Sequence, residues 1–151
     1  EKNIKIAKIH SKKNRLKINY LTASPEKLKE IEKYDVFLNL EIIEHVEDVS
    51  LYLKSCFSLL KKNGLMFTAT LNRTLISYIK AIIGAEYILR WLPIGTHDWN
   101  KFIKPEELEK KLLNENFSTI DVKGLEFNPI TQKWKKTENL SVNYIICCTK
   151  I

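Results

Sequence analysis

With 151 residues, 44% of them hydrophobic and 28% charged, the chain is too apolar to stay disordered and has the size of one domain. Its net charge of +7 comes almost wholly from lysine, the arginines being Arg15, Arg73 and Arg90. This argues against sequence-specific reading of nucleic acid by guanidinium forks and for general attraction to anionic surfaces such as lipid headgroups. Three cysteines, Cys56, Cys147 and Cys148, with no C-x-x-C pair exclude a structural zinc site and suggest a reducing compartment, and no uncharged run reaches the roughly 18 residues of a membrane span.

Residues 1–14 place Ile4 and Ala7, with His10 at the boundary, on one side of a basic amphipathic helix ringed by Lys2, Lys5, Lys8 and Lys12. Glu1 enters without a turn or cap signal, so the stretch is expected to begin inside a longer domain. Leu16 to Thr22 alternates apolar and polar residues and predicts a short strand. Ser24, Pro25 and Glu26 supply a cap, a proline at the first helical position and an acidic first turn for a helix to about Lys33. Asp35 to Leu40 is an apolar run of strand length, expected to be buried on both faces. From Glu47 onward Val49, Leu53, Cys56, Phe57 and Leu60 recur at helical spacing, and Gly64 just beyond Asn63 marks the stop. Leu65 to Leu71 is a further apolar strand, so strand, helix and strand predict a right-handed parallel crossover.

Thr74 to Pro93, TLISYIKAIIGAEYILRWLP, is largely apolar but interrupted by Lys80, Glu86 and Arg90, and Gly84 is expected to divide it into two short helical pieces. Such pieces can pack on the core, or present Tyr78, Tyr87 and Trp91 with basic residues to a bilayer interface. Gly95, Thr96, His97 and Asp98 form a polar turn, and Lys104 to Glu107 open a helix whose Leu108, Leu112 and Leu113 are expected to face inward. Phe117 to Asn128 and Leu140 to Thr149 read as strands joined by a loop containing Lys133, Trp134, Lys135 and Lys136, an antiparallel pair at the sheet edge.

A turn with two carboxylates and an imidazole follows the Asp35 to Leu40 strand, and the ends of such strands are where α/β sheets gather chemistry. Glu41, Glu44 and His45 stand at i, i+3 and i+4, so a helical turn would let them converge on a divalent ion such as Mg²⁺, Mn²⁺, Fe²⁺ or Zn²⁺. The competing reading is a solvated acidic helix start. His97 is a second candidate, for substrate contact or proton acceptance, against a capping or packing role.

The blocks YDVFLNLEIIEHVEDV, GLMFTATLNRT, GAEYILRWLPIGTHDWNKFIKPEEL, GLEFNPIT and VNYII closely resemble the S-adenosylmethionine-dependent O-methyltransferases of ubiquinone biosynthesis, over about Tyr34 to Lys150. The resemblance implies a class I methyltransferase, an α/β Rossmann-like fold that in full has seven strands with an antiparallel terminal hairpin. It implies methyl transfer from S-adenosylmethionine to a hydroxyl of a polyprenylated catechol or phenol. It also implies a metal site at Glu41, Glu44 and His45 holding a divalent ion, Mg²⁺ in first place, a donor-pocket position at Leu40, and membrane-lipid contact through Leu75 to Trp91. A peripheral location on the inner face of a bacterial membrane, or its mitochondrial matrix equivalent, would follow.

The glycine-rich loop and acidic strand end with which such enzymes hold the donor have no match here, the glycines standing at 64, 84, 95 and 124. Residues 1–151 are therefore expected to form a single incomplete domain, a partial sheet lacking the first two strands, with residues 74–93 as a membrane-interface helical insertion. Such a sheet should leave Leu16 to Thr22 without neighbours, expose the edge of Asp35 to Leu40, and bind the donor poorly. It could pair with a separate amino-terminal fragment or with other ubiquinone biosynthesis proteins. The other possibility is a non-catalytic lipid-binding remnant or scaffold module.

Overall fold

The computed structural model describes residues 2–28, 33–128 and 131–151. Its elements are helix α1 (Lys2–Lys13), strand β1 (Tyr34–Leu40), helix α2 (Val49–Leu59), strand β2 (Leu60–Leu71), the single turn α3 (Leu75–Ser77) running into a π-helical segment (Tyr78–Ile88), helix α4 (Pro105–Asn114), and strands β3 (Phe117–Asn128), β4 (Lys133–Thr137) and β5 (Asn143–Lys150). The strands form one mixed sheet in the order β1-β2-β5-β3-β4. β1 and β2 run parallel, as the crossover requires, and the other neighbours are antiparallel.

Local chemistry accounts for most of these elements. Asp48 caps α2 by accepting a hydrogen bond from the Leu51 amide at 3.0 Å. The helix ends at Leu59, earlier than expected, and the chain runs straight into β2, whose irregular register between Leu60 and Leu65 carries Asn63 at a left-handed φ of 60°. Gly64 follows because a Cβ there would lie 2.7 Å from the Leu60 side chain and 2.9 Å from the Lys61 carbonyl. Pro105 and the acidic Glu106 and Glu107 start α4, which turns Leu108 and Leu112 inward. Leu113, expected inward, is exposed: one residue past Leu112, it falls some 100° around the helix from the apolar stripe.

The core lies between one face of the sheet and helices α2 and α4. Leu53, Cys56, Leu60, Met66, Leu108, Leu112, Phe117, Tyr144, Ile146 and Cys148 are buried there, and each leucine or isoleucine contributes roughly 1.5–3 kcal/mol. Cys56 and Cys148 are core fillers, and burial pushes both thiols up to about 12. A buried polar knot joins helix to sheet: Tyr52 donates to Asn39 Oδ1 at 2.6 Å, and Asn39 Nδ2 reaches Thr68 Oγ1 at 3.4 Å. This knot holds the end of β1 in register with β2, immediately before Leu40 and Glu41.

Four expectations need correction. Leu16 to Thr22 joins no ladder among the described residues; a strand needs a neighbour for its amides and carbonyls, and here Leu16, Ile18 and Leu21 are exposed. The Ser24 helix is a short 3-10 turn over Pro25–Lys27 that opens at Leu28, whose ψ is 133°; its expected continuation through residues 29–32 lies outside the described residues. β1 is buried on one face only, with Val36, Leu38 and Leu40 about half exposed at 48%, 57% and 52%, because α2 and the core pack on the other face, that of Phe37 and Asn39. Lys133 to Lys136 do not form a loop but the outer strand β4, paired with β3 from Gly124↔Thr137 to Asn128↔Lys133, which places β5 inside the sheet.

The segment after β2 also differs from expectation. Gly84 does not divide it: the π-helical segment runs through Gly84 without a break. Thr74 and Ser77 cap its start reciprocally. One side, with Ile82 and Glu86, is buried, while Ile76, Ile79, Tyr87, Ile88, Leu89, Trp91 and Ile94 are exposed. Among the described residues no helix is long and apolar enough to cross a membrane.

Candidate functional site

β1 and β2 deliver their carboxyl ends side by side. Glu41, at a φ of 54°, still donates its amide to the Ala69 carbonyl at 3.0 Å, which adds one rung to the ladder before the chain turns away. A cleft of about 500 Å³ opens at this end of the sheet. Its walls are Leu40 and Glu41 at the end of β1, Ala69 and Leu71 of β2, Ala81 and Ala85 of the π-helical segment, Leu92 and His97 beyond it, Leu125 of β3, Trp134 of β4 and Asn143 of β5. A largely apolar cleft with few polar groups suits an aromatic or aliphatic ligand oriented by one or two contacts.

Of the sequence-derived candidates, Leu40, Glu41 and His97 are brought to this cleft. Glu44 lies behind its wall: the 3-10 turn Ile43–His45 rotates the side chain inward to 3% exposure, where Thr70 Oγ1 donates to its Oε2 at 2.8 Å. Its other oxygen, Oε1, is buried and has no hydrogen-bond partner among the described residues. The Glu41 carboxyl, although the residue as a whole is exposed, is raised to about 8, first by the loss of surrounding water at the turn and then by the neighbouring Glu44 carboxylate. His45, at the end of the same turn, is exposed. Among the described residues no group of three or more His, Cys, Asp or Glu side chains is placed to hold a metal ion, so Glu41, Glu44 and His45 do not assemble as the set expected of them. The i, i+3, i+4 argument assumed a continuous helical turn, whereas Glu41 is left-handed and Ile43–His45 is a 3-10 turn.

His97 is held more firmly than a surface turn predicts. Its Nδ1 lies 2.8 Å from Glu86 Oε1, and the same oxygen accepts the His97 amide at 2.9 Å. Glu86 Oε2 accepts the Gly95 amide at 2.7 Å, and Gly95 has the positive φ of 84° that the turn requires. On the other side the Phe102 ring meets the imidazole edge to face, with centroids 5.9 Å apart. Glu86 is the residue that sequence reasoning passed over, treating it as an interruption in an apolar segment. An acid inside such a run is itself the signal, since a charge is buried there only when it has partners.

Sheet order, parallel crossover and a cleft at the strand ends define an α/β fold of the Rossmann-like methyltransferase class, in partial form. Solved structures agree at the level of fold. Magnesium protoporphyrin IX methyltransferase from Synechocystis PCC 6803 matches with a TM-score of 0.63 at 17% identity over 100% of this chain and 60% of its own. A possible histamine N-methyltransferase from Thermotoga maritima matches at 0.64 and 19% over 93% and 67%.

The family model described as a methyltransferase domain matches residues 2–122, and the chain belongs to that family. The ubiquinone biosynthesis O-methyltransferase of Pelagibacter ubique is 57% identical over 145 residues, 96% of this chain and 60% of that protein. The protein of the same name from Bartonella bacilliformis is 47% identical over 152 residues, 100% and 61%. The resemblance read from the sequence blocks therefore holds, and the chain spans about 60% of the length of these curated relatives.

Proposed function

We propose that the chain carries the substrate-side part of an S-adenosylmethionine-dependent O-methyltransferase of ubiquinone biosynthesis, one that methylates a hydroxyl of a polyprenylated catechol or phenol. The 57% identity to the Pelagibacter ubique protein across nearly the whole chain carries this reading. The apolar cleft with an imidazole on one wall and a carboxyl on another supports it. When bound, S-adenosylmethionine supplies an electrophilic methyl carbon, which the hydroxyl oxygen takes as the carbon–sulfur electron pair stays on sulfur. Leu40, half exposed at the cleft beside Glu41, would contact that donor, and the apolar cleft would hold the ring and exclude water. His97 takes the hydroxyl proton, since a phenol is a poor nucleophile until it loses that proton.

The test is transfer of a labelled methyl group to a catechol bearing a short prenyl tail, run with the chain alone and with the amino-terminal segment of a relative added. Methylated product in either arm supports the reading; vesicle binding with no product in both favours a non-catalytic lipid-binding module. The chain alone is expected to bind S-adenosylmethionine weakly, and micromolar binding in a calorimetric titration would refute that.

The unpartnered buried oxygen of Glu44 and the raised carboxyl of Glu41 near it support a site for an oxygen-preferring divalent ion, Mg²⁺ in first place. Glu41 and Glu44 would hold it, with His45 outside the set, and the ion would lower the pKa of a neighbouring hydroxyl and orient it. In metal-free buffer a Glu41 whose folded pKa lies above its unfolded value near 4.5 costs nothing below that value and destabilises the fold progressively as pH rises toward about 8. Glu41→Gln should remove this slope and raise Tm at pH 8 by about 2–4 °C, equivalent to roughly 1 kcal/mol after allowance for solvent screening. Mg²⁺ should raise Tm of the parent at that pH and leave the variant unmoved. An equal response of both proteins to Mg²⁺ would remove Glu41 from the ion site.

The exposed Ile76, Ile79, Ile83, Ile88, Leu89 and Trp91, with Lys80 and Arg90 among them, support a membrane-surface role for Leu75 to Trp91. Ile79→Asp together with Ile83→Asp should abolish co-sedimentation with anionic vesicles and leave the melting temperature nearly unchanged. Undiminished sedimentation would exclude this surface.

A further inference from the structure

We propose that Glu86 is a positioning residue of the site: its carboxylate clamps the Gly95 to His97 turn and fixes His97 as the Nδ1–H tautomer, leaving Nε2 bare to take a proton in the cleft. The inference rests on the reading of His97 as the proton acceptor and extends it to a residue outside the cleft's chemistry.

Three donors converge on this one carboxylate, two backbone amides and an imidazole nitrogen, at 2.7, 2.9 and 2.8 Å. Glu86 is 1% exposed, the His97 side chain 12%. Burial works to raise the Glu86 carboxyl, but the amides of Gly95 and His97 and the His97 ring outweigh it and hold the group below the usual carboxylate range. Glu86 is therefore ionised at neutral pH. An ionised carboxylate offers lone pairs only, so the hydrogen in its contact with His97 must sit on Nδ1. In a neutral imidazole the other nitrogen is then the acceptor.

No described residue engages Nε2, and His97 lines the cleft. Phe102, itself 1% exposed, packs against the ring and blocks its swing away from the carboxylate. The charge balance also favours the step. A proton leaving the hydroxyl bonds to Nε2, and the resulting imidazolium charge faces Glu86, which stays ionised and accepts no proton itself. The clamp ties the π-helical segment to the turn, so the same contact that sets the tautomer sets the distance of the ring from the cleft.

The tautomer is read directly from two-bond ¹⁵N–¹H correlations in ¹⁵N-histidine-labelled protein. The expected wild-type His97 pattern is protonated Nδ1 and bare Nε2. Glu86→Leu keeps much of the bulk but removes the acceptor, so nothing holds the hydrogen on Nδ1 and it should move to Nε2. The kcat of methyl transfer should then fall about 10²- to 10⁴-fold with KM for donor and acceptor within about threefold. Glu86→Asp, which restores an acceptor, should return the Nδ1–H pattern and part of kcat. A wild-type His97 protonated on Nε2, a measurement independent of any variant's folding, would overturn the proposal. So would a Leu variant with an unchanged tautomer. A tautomer that moves while kcat does not would instead overturn His97 as the proton acceptor, and with it the part of Glu86 in the reaction.

Discussion

His97→Ala is expected to lower kcat for methyl transfer about 10²- to 10⁴-fold, the usual worth of a positioned general base. The fold should survive the change. Glu86 keeps the Gly95 and His97 amides, which are backbone donors untouched by the substitution, so its buried charge is not stranded. The lost ring leaves a small gap beside Phe102 at the wall of the cleft and not in the main core. Donor affinity should stay within about threefold, because the proposal assigns the donor to Leu40 and the proton to His97. Added imidazole, small enough to enter the gap, should restore part of the rate. Initial rates with a labelled methyl donor decide the matter, and a variant with kcat within threefold of the parent would end the proton-acceptor reading.

Phe117→Ala is expected to cost about 3–5 kcal/mol, the range for removing a buried phenylalanine without backbone collapse. Phe117 starts β3 at 1% exposure, where the sheet meets α2 and α4. Its ring stands edge to face on Phe57 with centroids 5.4 Å apart and planes at 89°. Phe57 in turn carries Lys150 Nζ 4.0 Å above its ring, and that ammonium donates to the Phe57 and Leu60 carbonyls at 2.7 and 3.0 Å. Collapse into the vacated space is hindered because Phe117 and Lys150 are register partners at the start of the β3–β5 ladder. For a chain of this length the cost corresponds to a Tm lower by roughly 10 °C. Urea melts measure it, and a loss under about 1 kcal/mol would show that this corner of the core repacks freely.

The elements legible in the sequence are those whose signal is local and repeated. Val49, Leu53 and Cys56 at helical spacing announce α2, and the apolar runs on either side announce β1 and β2. Pro105 opens α4 as expected, whereas α2 stops at Leu59 and the expected stop, Asn63 and Gly64, lies within β2. Leu40, Glu41 and His97 stand out in the amino-acid sequence, and the cleft brings those three together.

What sequence could not supply was every feature that depends on a distant neighbour. Leu16 to Thr22 has strand composition, yet a strand is made by hydrogen bonds to a second strand. Lys133 to Thr137 has loop composition and becomes a strand because the hairpin brings it beside β3. Whether β1 is covered on both faces depends on what packs over each face, and its apolar run says nothing about that. The inward turn of Glu44 and the exposure of His45 follow from a left-handed Glu41 that periodicity assumes away.

The crossover and the residues at the strand ends are thus written in the amino-acid order, because hydrophobic period and turn chemistry lie within a few residues of one another, while the class of protein is carried by the longer blocks that resemble a known family. Which of those residues meet is settled only by the packing of the folded chain. Glu86 and His97 are separated by eleven positions and a turn, and no spacing rule joins them. Their contact exists because a buried carboxylate must find donors, and the fold brings two amides and an imidazole to it.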